Sequence, residues 1–334
     1  MRQTTLYPLR FDPIYQYRLW GGRRLGRMLA APLPGSGPIG EAWVLSDRED
    51  HPSRVANGPL KGRTLGELMG EFPEQLMGEL APRFHRFPLL LKFLDVREML
   101  SVQVHPADHS EDGRADLLAP GESGKTEAWV VLEAAPASRI YDGLKPGTTA
   151  EDLRRSLSDG TLEERMVRIS PNVGDAVFTP AGTVHSLGGD VMVFEIQENS
   201  DVTFRLFDWG HIDPKTGQPR PLQVEQAMAS IDYGKNDCGL ATPVVEAASP
   251  ICRERLFDDK HFLLWRLRGQ APFYVGAPDL PRVVVCVEGA GRLEHAGEAY
   301  PIAKGEVWLL PAVLRVCAFQ PSEPVTLFEI AIPK

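Results

Sequence analysis

The sequence predicts a mainly β protein made of two jelly-roll β-barrels, with a small helical insertion in or beside the first. Three observations predict it. Gly and Pro, 31 and 29 residues, punctuate many short apolar runs, which is how strands and turns alternate in an all-β frame. The best strand candidates alternate with period two. Finally, "NVGDAVFTPAGTVHSL" at 172–187 and "AKGEVWLLPAVLRVCA" at 303–318 align without a gap.

In that alignment Gly174 pairs with Gly305, Asp175 with Glu306, Pro180 with Pro311 and Ala181 with Ala312. A Gly-acid turn, an apolar strand and Pro-Ala form one hairpin edge of a small antiparallel barrel, so two copies suggest two related barrels. His185 of the first copy falls opposite Val316 of the second. If the first barrel holds a metal, the second has lost that ligand and is structural. The boundary falls in "SIDYGKNDCG", which gives a catalytic, metal-binding domain over 1–235 and a second barrel without metal ligands over 236–334.

Helical spacing is confined to two places, near 64–80 and 149–165. In "TLGELMGEFPEQLMGEL" the residues Leu65, Leu68, Met69 and Phe72 recur at i, i+3, i+4 and i+7, and Pro73 should break or kink the helix. "TAEDLRRSL" opens with Thr149 as N-cap and Asp152 three residues on, a capping-box arrangement.

A chain of 334 residues with 43% hydrophobic and 24% charged residues is an ordinary globular protein with room for a large core and two domains. The net charge of −9 argues against nucleic acid or an anionic membrane as the main partner, yet permits a small anion in a local basic pocket. Cys238, Cys252, Cys286 and Cys317 lie in the last third without CxxC spacing, as expected of free thiols in a reducing compartment. "MRQTTLYPLRFDP" has no apolar leader region and no run approaches a spanning length, so a cytoplasmic location is expected, with no obligate protein partner evident.

The chemistry begins at "LSVQVHP", residues 100–106. Val102 and Val104 face one way; Ser101, Gln103 and His105 face the other. The polar face is either the solvated side of a strand or the ligand-bearing inner wall of a barrel. Partners for the second reading occur on other strands. "GKTEAWVVLEA" carries Lys125 and Glu127 on one face, His185 follows the Pro-Ala turn, and "SDVTFRLFDW" aligns Thr203, Arg205 and Phe207 on one face. Two imidazoles, a carboxylate and an amide oxygen suit Zn²⁺ with an open position, and Fe²⁺ accepts the same donors. Each residue also has a plain structural reading: hydrogen-bonded core histidines, or Glu127 paired with Lys125 at a solvated edge. His109, four residues after His105, follows Pro106 and a strand and reads as surface.

At this point the chain resembles the type I mannose-6-phosphate isomerases, zinc-dependent enzymes of the cupin class, in their short bacterial form. The motifs that carry the resemblance are "LWGG", "GEAWVLS", "LLLKFLDVREMLSVQVHP", "GKTEAW", "PAGTVHSLGG" and "ENSDVTFRLFDWG", in family order over roughly residues 7–210. The resemblance implies two cupin-like barrels and one zinc ion held by Gln103, His105, Glu127 and His185, so that the polar face looks inward. It matches Arg205 to the catalytic arginine, Lys125 to the lysine beside the metal, and Lys92 and Ser101 to positions holding the substrate phosphate. Glu41 and Trp43 lie in a matching motif and are taken as substrate-binding; Glu195 and Asp201 sit near family carboxylates. The implied reaction interconverts mannose 6-phosphate and fructose 6-phosphate through an enediol(ate). An isomerase of another phosphorylated aldose is the nearest alternative, followed by a cupin Fe(II) oxygenase or a non-enzymatic sugar-binding cupin.

Overall fold

The strand Leu89–Val96, LLLKFLDV, is buried along its whole length because both of its faces are covered. Leu89, Leu91 and Phe93 enter one core cluster while Leu94 and Val96 enter another. Lys92 shares the second face and Asp95 the first, so two charges are carried into an otherwise apolar strand. The structure, a computed structural model, describes residues 5–108, 117–234 and 238–334. His109 lies outside the described residues.

Leu89–Val96 stands inside a seven-stranded antiparallel sheet with Glu127–Glu133, Val191–Glu198, Ala176–Thr179, Ile39–Leu45, Ile14–Gly22 and the short Gly239–Leu240. A five-stranded sheet containing Phe204–Phe207, Val102–Val104, His185–Gly188, Arg139–Leu144 and Met166–Ile169 makes the other half of this unit. The C-terminal part repeats the plan, with a seven-stranded sheet and a four-stranded one. The mainly β class is as the sequence predicts, but the strand pairing does not close either unit into a continuous barrel; each is a pair of sheets.

The repeat is far longer in space than in sequence. Gly174 and Gly305 both take a left-handed turn, at φ 92° and 88°, which explains a glycine in each. Thr179 lies opposite Glu127 as Leu310 lies opposite Arg282. Glu195 lies between Trp129 and Lys92 as Glu329 lies between Val284 and Trp265. Gln103 opposes His185, and Gly276 opposes Val316. In the second unit Arg253 Nη1 and the Gly276 N–H both donate to Glu329, so the position matching Glu195 is closed by a local ion pair.

The two large sheets share one core. Phe93, Phe194 and Ile196 from the first pack in the same cluster as Leu264, Phe328 and Ile330 from the second, with the Phe194 and Phe328 rings 5.5 Å apart. Edge strands are also exchanged: Leu9–Arg10 pairs with Val307–Leu310 in the second sheet, while Gly239–Leu240 pairs with Ala176–Thr179 in the first. The helices are where spacing puts them. Leu65–Glu71 starts at a Thr64/Glu67 capping box and yields at Phe72 to Pro73–Met77; Ala150–Asp159 starts at the Thr149/Asp152 box and stops at Gly160. Two short helices, Leu25–Met28 and Val224–Ser230, have no side-chain cap and left no periodic signal.

Among the ion pairs between the units, one involves a histidine. His261 Nδ1 lies 3.2 Å from Glu198 Oε1, and Asp108 stands in the same cluster. Burial opposes protonation of His261, but Glu198 and Asp259 outweigh burial and the nearby Lys260, and its pKa is raised. A raised folded-state value means that the pair stabilises fully below the unfolded value and that the gain is lost as pH rises through the folded one. His261→Ala should therefore lower Tm most below about pH 6.5 and progressively less above it, in thermal melts across pH. An equal loss at every pH would show that the contact acts by packing alone.

Candidate active site

The inner face of the first large sheet gathers Glu41, Lys92, Glu127 and Glu195, because period-two alternation sends the intervening Ala42, Phe93, Ala128 and Phe194 to the other side. The small sheet brings Gln103 and His185 opposite one another, with Arg205 opposite Gln103 on its other flank. Directly opposed residues of antiparallel strands project to the same side, which answers the inward-or-outward question for Gln103. Ser101, Gln103, Lys125, Lys92, Glu195 and Arg205 all line one cavity of 340 Å³.

Behind Lys125 lies a buried group of His105, Glu127 and His185. His105 Nε2 is 3.4 Å from Glu127 Oε2, and His185 Nε2 is 3.3 Å from Glu127 Oε1. Each imidazole has its Nδ1 against a backbone carbonyl, Val202 O at 2.8 Å and Thr183 O at 2.9 Å. With Nδ1–H donating there, the Nε2 lone pair of each ring points at the common centre, the arrangement by which carbonyls orient metal-ligating histidines. Neither Glu127 oxygen has a well-aligned hydrogen-bond donor, although Lys125 Nζ is 2.8 Å from Oε2. Donors bound tetrahedrally at zinc–nitrogen and zinc–oxygen lengths stand about 3.3–3.4 Å apart. The observed spacings meet that test.

Gln103 is turned with Nε2 3.1 Å from His185 Nε2, while Ser101 Oγ donates to its Oε1 at 3.2 Å. A rotation of the amide about its last torsion presents the oxygen instead, at little steric cost. Burial, then the Lys125 charge, holds His105 down at about 3, so it is the neutral ring that a ligand requires. Burial works against ionised Glu127, yet Lys125 and the two imidazoles keep its pKa well below the ordinary range.

Around this centre the charges are interlocked. Lys92 Nζ is 3.2 Å from Glu195 Oε2 and 5.1 Å from the centroid of the Trp43 ring. Burial disfavours its charge, but Glu195 and Glu41 more than restore it and raise the pKa. Glu41 accepts from Trp43 Nε1 at 2.7 Å and from Arg18 Nε at 2.8 Å. Although burial opposes ionisation, Arg18 and Lys92 bring Glu41 to about 2. Glu195, with Trp129 Nε1 at 3.1 Å, is lifted by burial above the usual carboxylate range. Trp43 is buried and does not line the cavity; it supports Glu41 and Lys92 from behind.

Alternation fails at one place. A bulge between Arg205 and Phe207 turns Phe207 away, so Thr203 and Arg205 line the cavity and Phe207 packs on Trp209 instead. Among the cavity residues that escaped sequence reasoning are two cations. Arg18 sits in the strand that carries "LWGG", and Arg220 lies between two prolines, directly after the short strand Gln218–Pro219. The spacing "PRP" at 219–221 was the only local signal.

Comparison with known proteins now adds to the geometry. The family described as "Phosphomannose isomerase type I, catalytic domain" matches residues 9–131. Mannose-6-phosphate isomerase ManA of Bacillus subtilis is 34% identical over 309 residues, covering 92% of this chain and 94% of that protein. This chain belongs to the type I mannose-6-phosphate isomerases. Another relative, the mannose-6-phosphate isomerase of Streptococcus mutans, is 32% identical over 93% of this chain and 95% of its own. The crystal structure of the Bacillus subtilis mannose 6-phosphate isomerase superposes with a TM-score of 0.87 at 29% identity, covering 97% of this chain and 99% of that one. As a member of this isomerase family the protein is an enzyme, an aldose-ketose isomerase, and its substrate is a phosphorylated sugar. In this isomerase the buried His–Glu–His group is a candidate metal centre.

Proposed function

We propose that the enzyme interconverts mannose 6-phosphate and fructose 6-phosphate through an enediol(ate), with one zinc ion held by Gln103, His105, Glu127 and His185. The observation that carries this reading is the convergence of two carbonyl-oriented imidazoles on one buried carboxylate, 3.3–3.4 Å apart, beside the cavity. Such an ion, when bound, supplies Lewis-acid stabilisation of oxygen, and a single carboxylate among four ligands leaves it a net positive charge.

The chain's own residues supply the rest. Glu195, its pKa raised by burial, is suited to take and return the carbon-bound proton, and Lys125 can move a proton between sugar oxygens. Arg205 remains charged at any ordinary pH and suits the developing oxyanion. Ser101 and Lys92 offer a hydroxyl and a cation on the cavity lining, two of the groups available to an anionic substrate. Because the Lys92 charge is shared with Glu195 and Glu41, it also keeps those carboxylates in register. Glu41 acts through Arg18, Trp43 and Lys92 and is a positioning residue.

The duplicated strand register supports reading the two sheet pairs as degenerate copies of one cupin-like jelly roll, the first catalytic and the second structural, divided near residue 235 apart from the exchanged edge strands. The free thiols Cys252, Cys286 and Cys317 support a reducing, cytoplasmic setting. The test is a coupled assay for fructose 6-phosphate formed from mannose 6-phosphate by purified protein. Activity should vanish on chelation and return with one equivalent of zinc. Full activity in exhaustively chelated protein would defeat the metal assignment, and no activity with zinc restored would defeat the substrate.

A further inference from the structure

The cations lining the cavity are not equivalent. Lys125 is committed to Glu127 at 2.8 Å, Lys92 to Glu195 at 3.2 Å, and Arg18 to Glu41 through two nitrogens at 2.8 and 3.1 Å. Each of these charges is answered inside the wall. Arg205 and Arg220 line the same cavity.

Arg205 donates Nη1 to the Pro221 carbonyl at 2.8 Å, and its buried Nε has no partner. Among the charges acting on it, Arg220 and Arg18 are like charges and Asp208 alone opposes them. Arg220 is clamped by Asp208, whose Oδ2 accepts from Nε at 2.9 Å while Oδ1 accepts from Nη2. That grip holds two nitrogens on one edge of the guanidinium, and neither bond uses Nη1. Arg18 has Glu41, Asp201 and Glu195 about it, whereas Arg205 and Arg220 have Asp208 between them, with Asp213 also on the cavity lining. Like charges held beside a cavity cost free energy unless an anion joins them, and a planar fork matches phosphate oxygens.

We propose that Arg220, oriented by Asp208, anchors the doubly charged phosphoryl group of the substrate beside Arg205. The proposal rests on the reading of the cavity as a sugar-phosphate site. It names a residue outside the motifs that carry the family resemblance. It also separates two jobs on one wall. Arg205, opposite Gln103 in the small sheet, reaches toward the reacting carbons, and Arg220 holds the far end of the chain. A charge present throughout the reaction is recognised equally in ground and transition states, so Arg220 acts on KM.

The experiment compares wild type, Arg220→Met and Arg220→Lys in the full-length, zinc-loaded protein. Steady-state kinetics on mannose 6-phosphate are paired with calorimetric titration of inorganic phosphate. Loss of a charge-assisted bidentate contact should raise KM about 10–100-fold in Arg220→Met. Phosphate affinity should fall by a similar factor, and Arg220→Lys should recover part of both. Since Arg220→Met leaves Asp208 without its partner, thermal melts accompany the kinetics, and Arg220→Lys keeps the charge if that variant unfolds. Unchanged KM and unchanged phosphate affinity in a folded variant would overturn the anchor. A loss confined to kcat would overturn it too, and assign Arg220 to the chemistry. If wild type binds phosphate through Arg220 but does not turn over mannose 6-phosphate, the anion site stands and the substrate reading falls.

Discussion

Replacing His185 by alanine should remove most bound zinc and lower kcat/KM by more than about 10²-fold, the upper range for losing only an outer-shell partner of a metal ligand. His185 lies on a strand only four residues long, His185–Gly188, buried throughout and paired on one side with Val102–Val104 and on the other with Arg139–Leu144. Truncating one ring there removes a donor without breaking the ladder, so the sheets should stay folded. His105→Ala should behave alike, since its Nε2 closes the other side of Glu127. Metal analysis by atomic absorption, with far-ultraviolet circular dichroism as the fold control, reads the outcome. Stoichiometric zinc at wild-type affinity in His185→Ala would mean that the imidazole is a structural one.

The second large effect is expected at Arg205. A guanidinium placed for the enediolate stabilises charge that develops only as the proton leaves carbon, so its loss falls on kcat. Removal of one preorganised donor of this kind typically costs about 10²–10³-fold. Arg205→Ala, assayed on mannose 6-phosphate at matched zinc content, should show that loss with a smaller change in KM. The comparison with Arg220 is internal to the protein: neighbouring cations, one predicted to act on kcat and the other on KM. A pure KM effect for Arg205→Ala would make both arginines phosphate ligands and leave the oxyanion to another group.

Why some of this was legible in the sequence and some was not follows from the physics of sheets. Alternation in "SVQVHP" and "TEAWVV" fixed which side chains share a face, because the side-chain period of a strand is two. The same rule failed at Arg205 and Phe207, where one bulge resets the alternation. The repeat was readable over 172–187 and 303–318 because turn glycines and prolines impose backbone shapes that few residues satisfy. Beyond those residues it persists only as strand register, which tolerates Glu127 becoming Arg282 and Gln103 becoming Gly276. The exchanged edges, Leu9–Arg10 and Gly239–Leu240, were invisible because two-residue strands carry no period at all. Arg220 was missed for a related reason. Its place is set by the end of a two-residue strand and by the Asp208 grip, and neither leaves a spacing to read.

Glu41 and Trp43 show what motif matching leaves open. Their segment was recognisable, yet only the hydrogen bonds to Arg18 and between the two residues assign Glu41 to charge organisation and Trp43 to the wall behind Lys92.

The central claim is that the inward polar face of these strands is a metal site. Diffraction from zinc-loaded crystals on both sides of the zinc absorption edge tests it most directly. The account predicts one anomalous peak at full occupancy, within bonding distance of His105 Nε2, His185 Nε2, a Glu127 oxygen and the Gln103 amide oxygen. A peak at Asp108, Glu198 and His261 with none between the two imidazoles would contradict it.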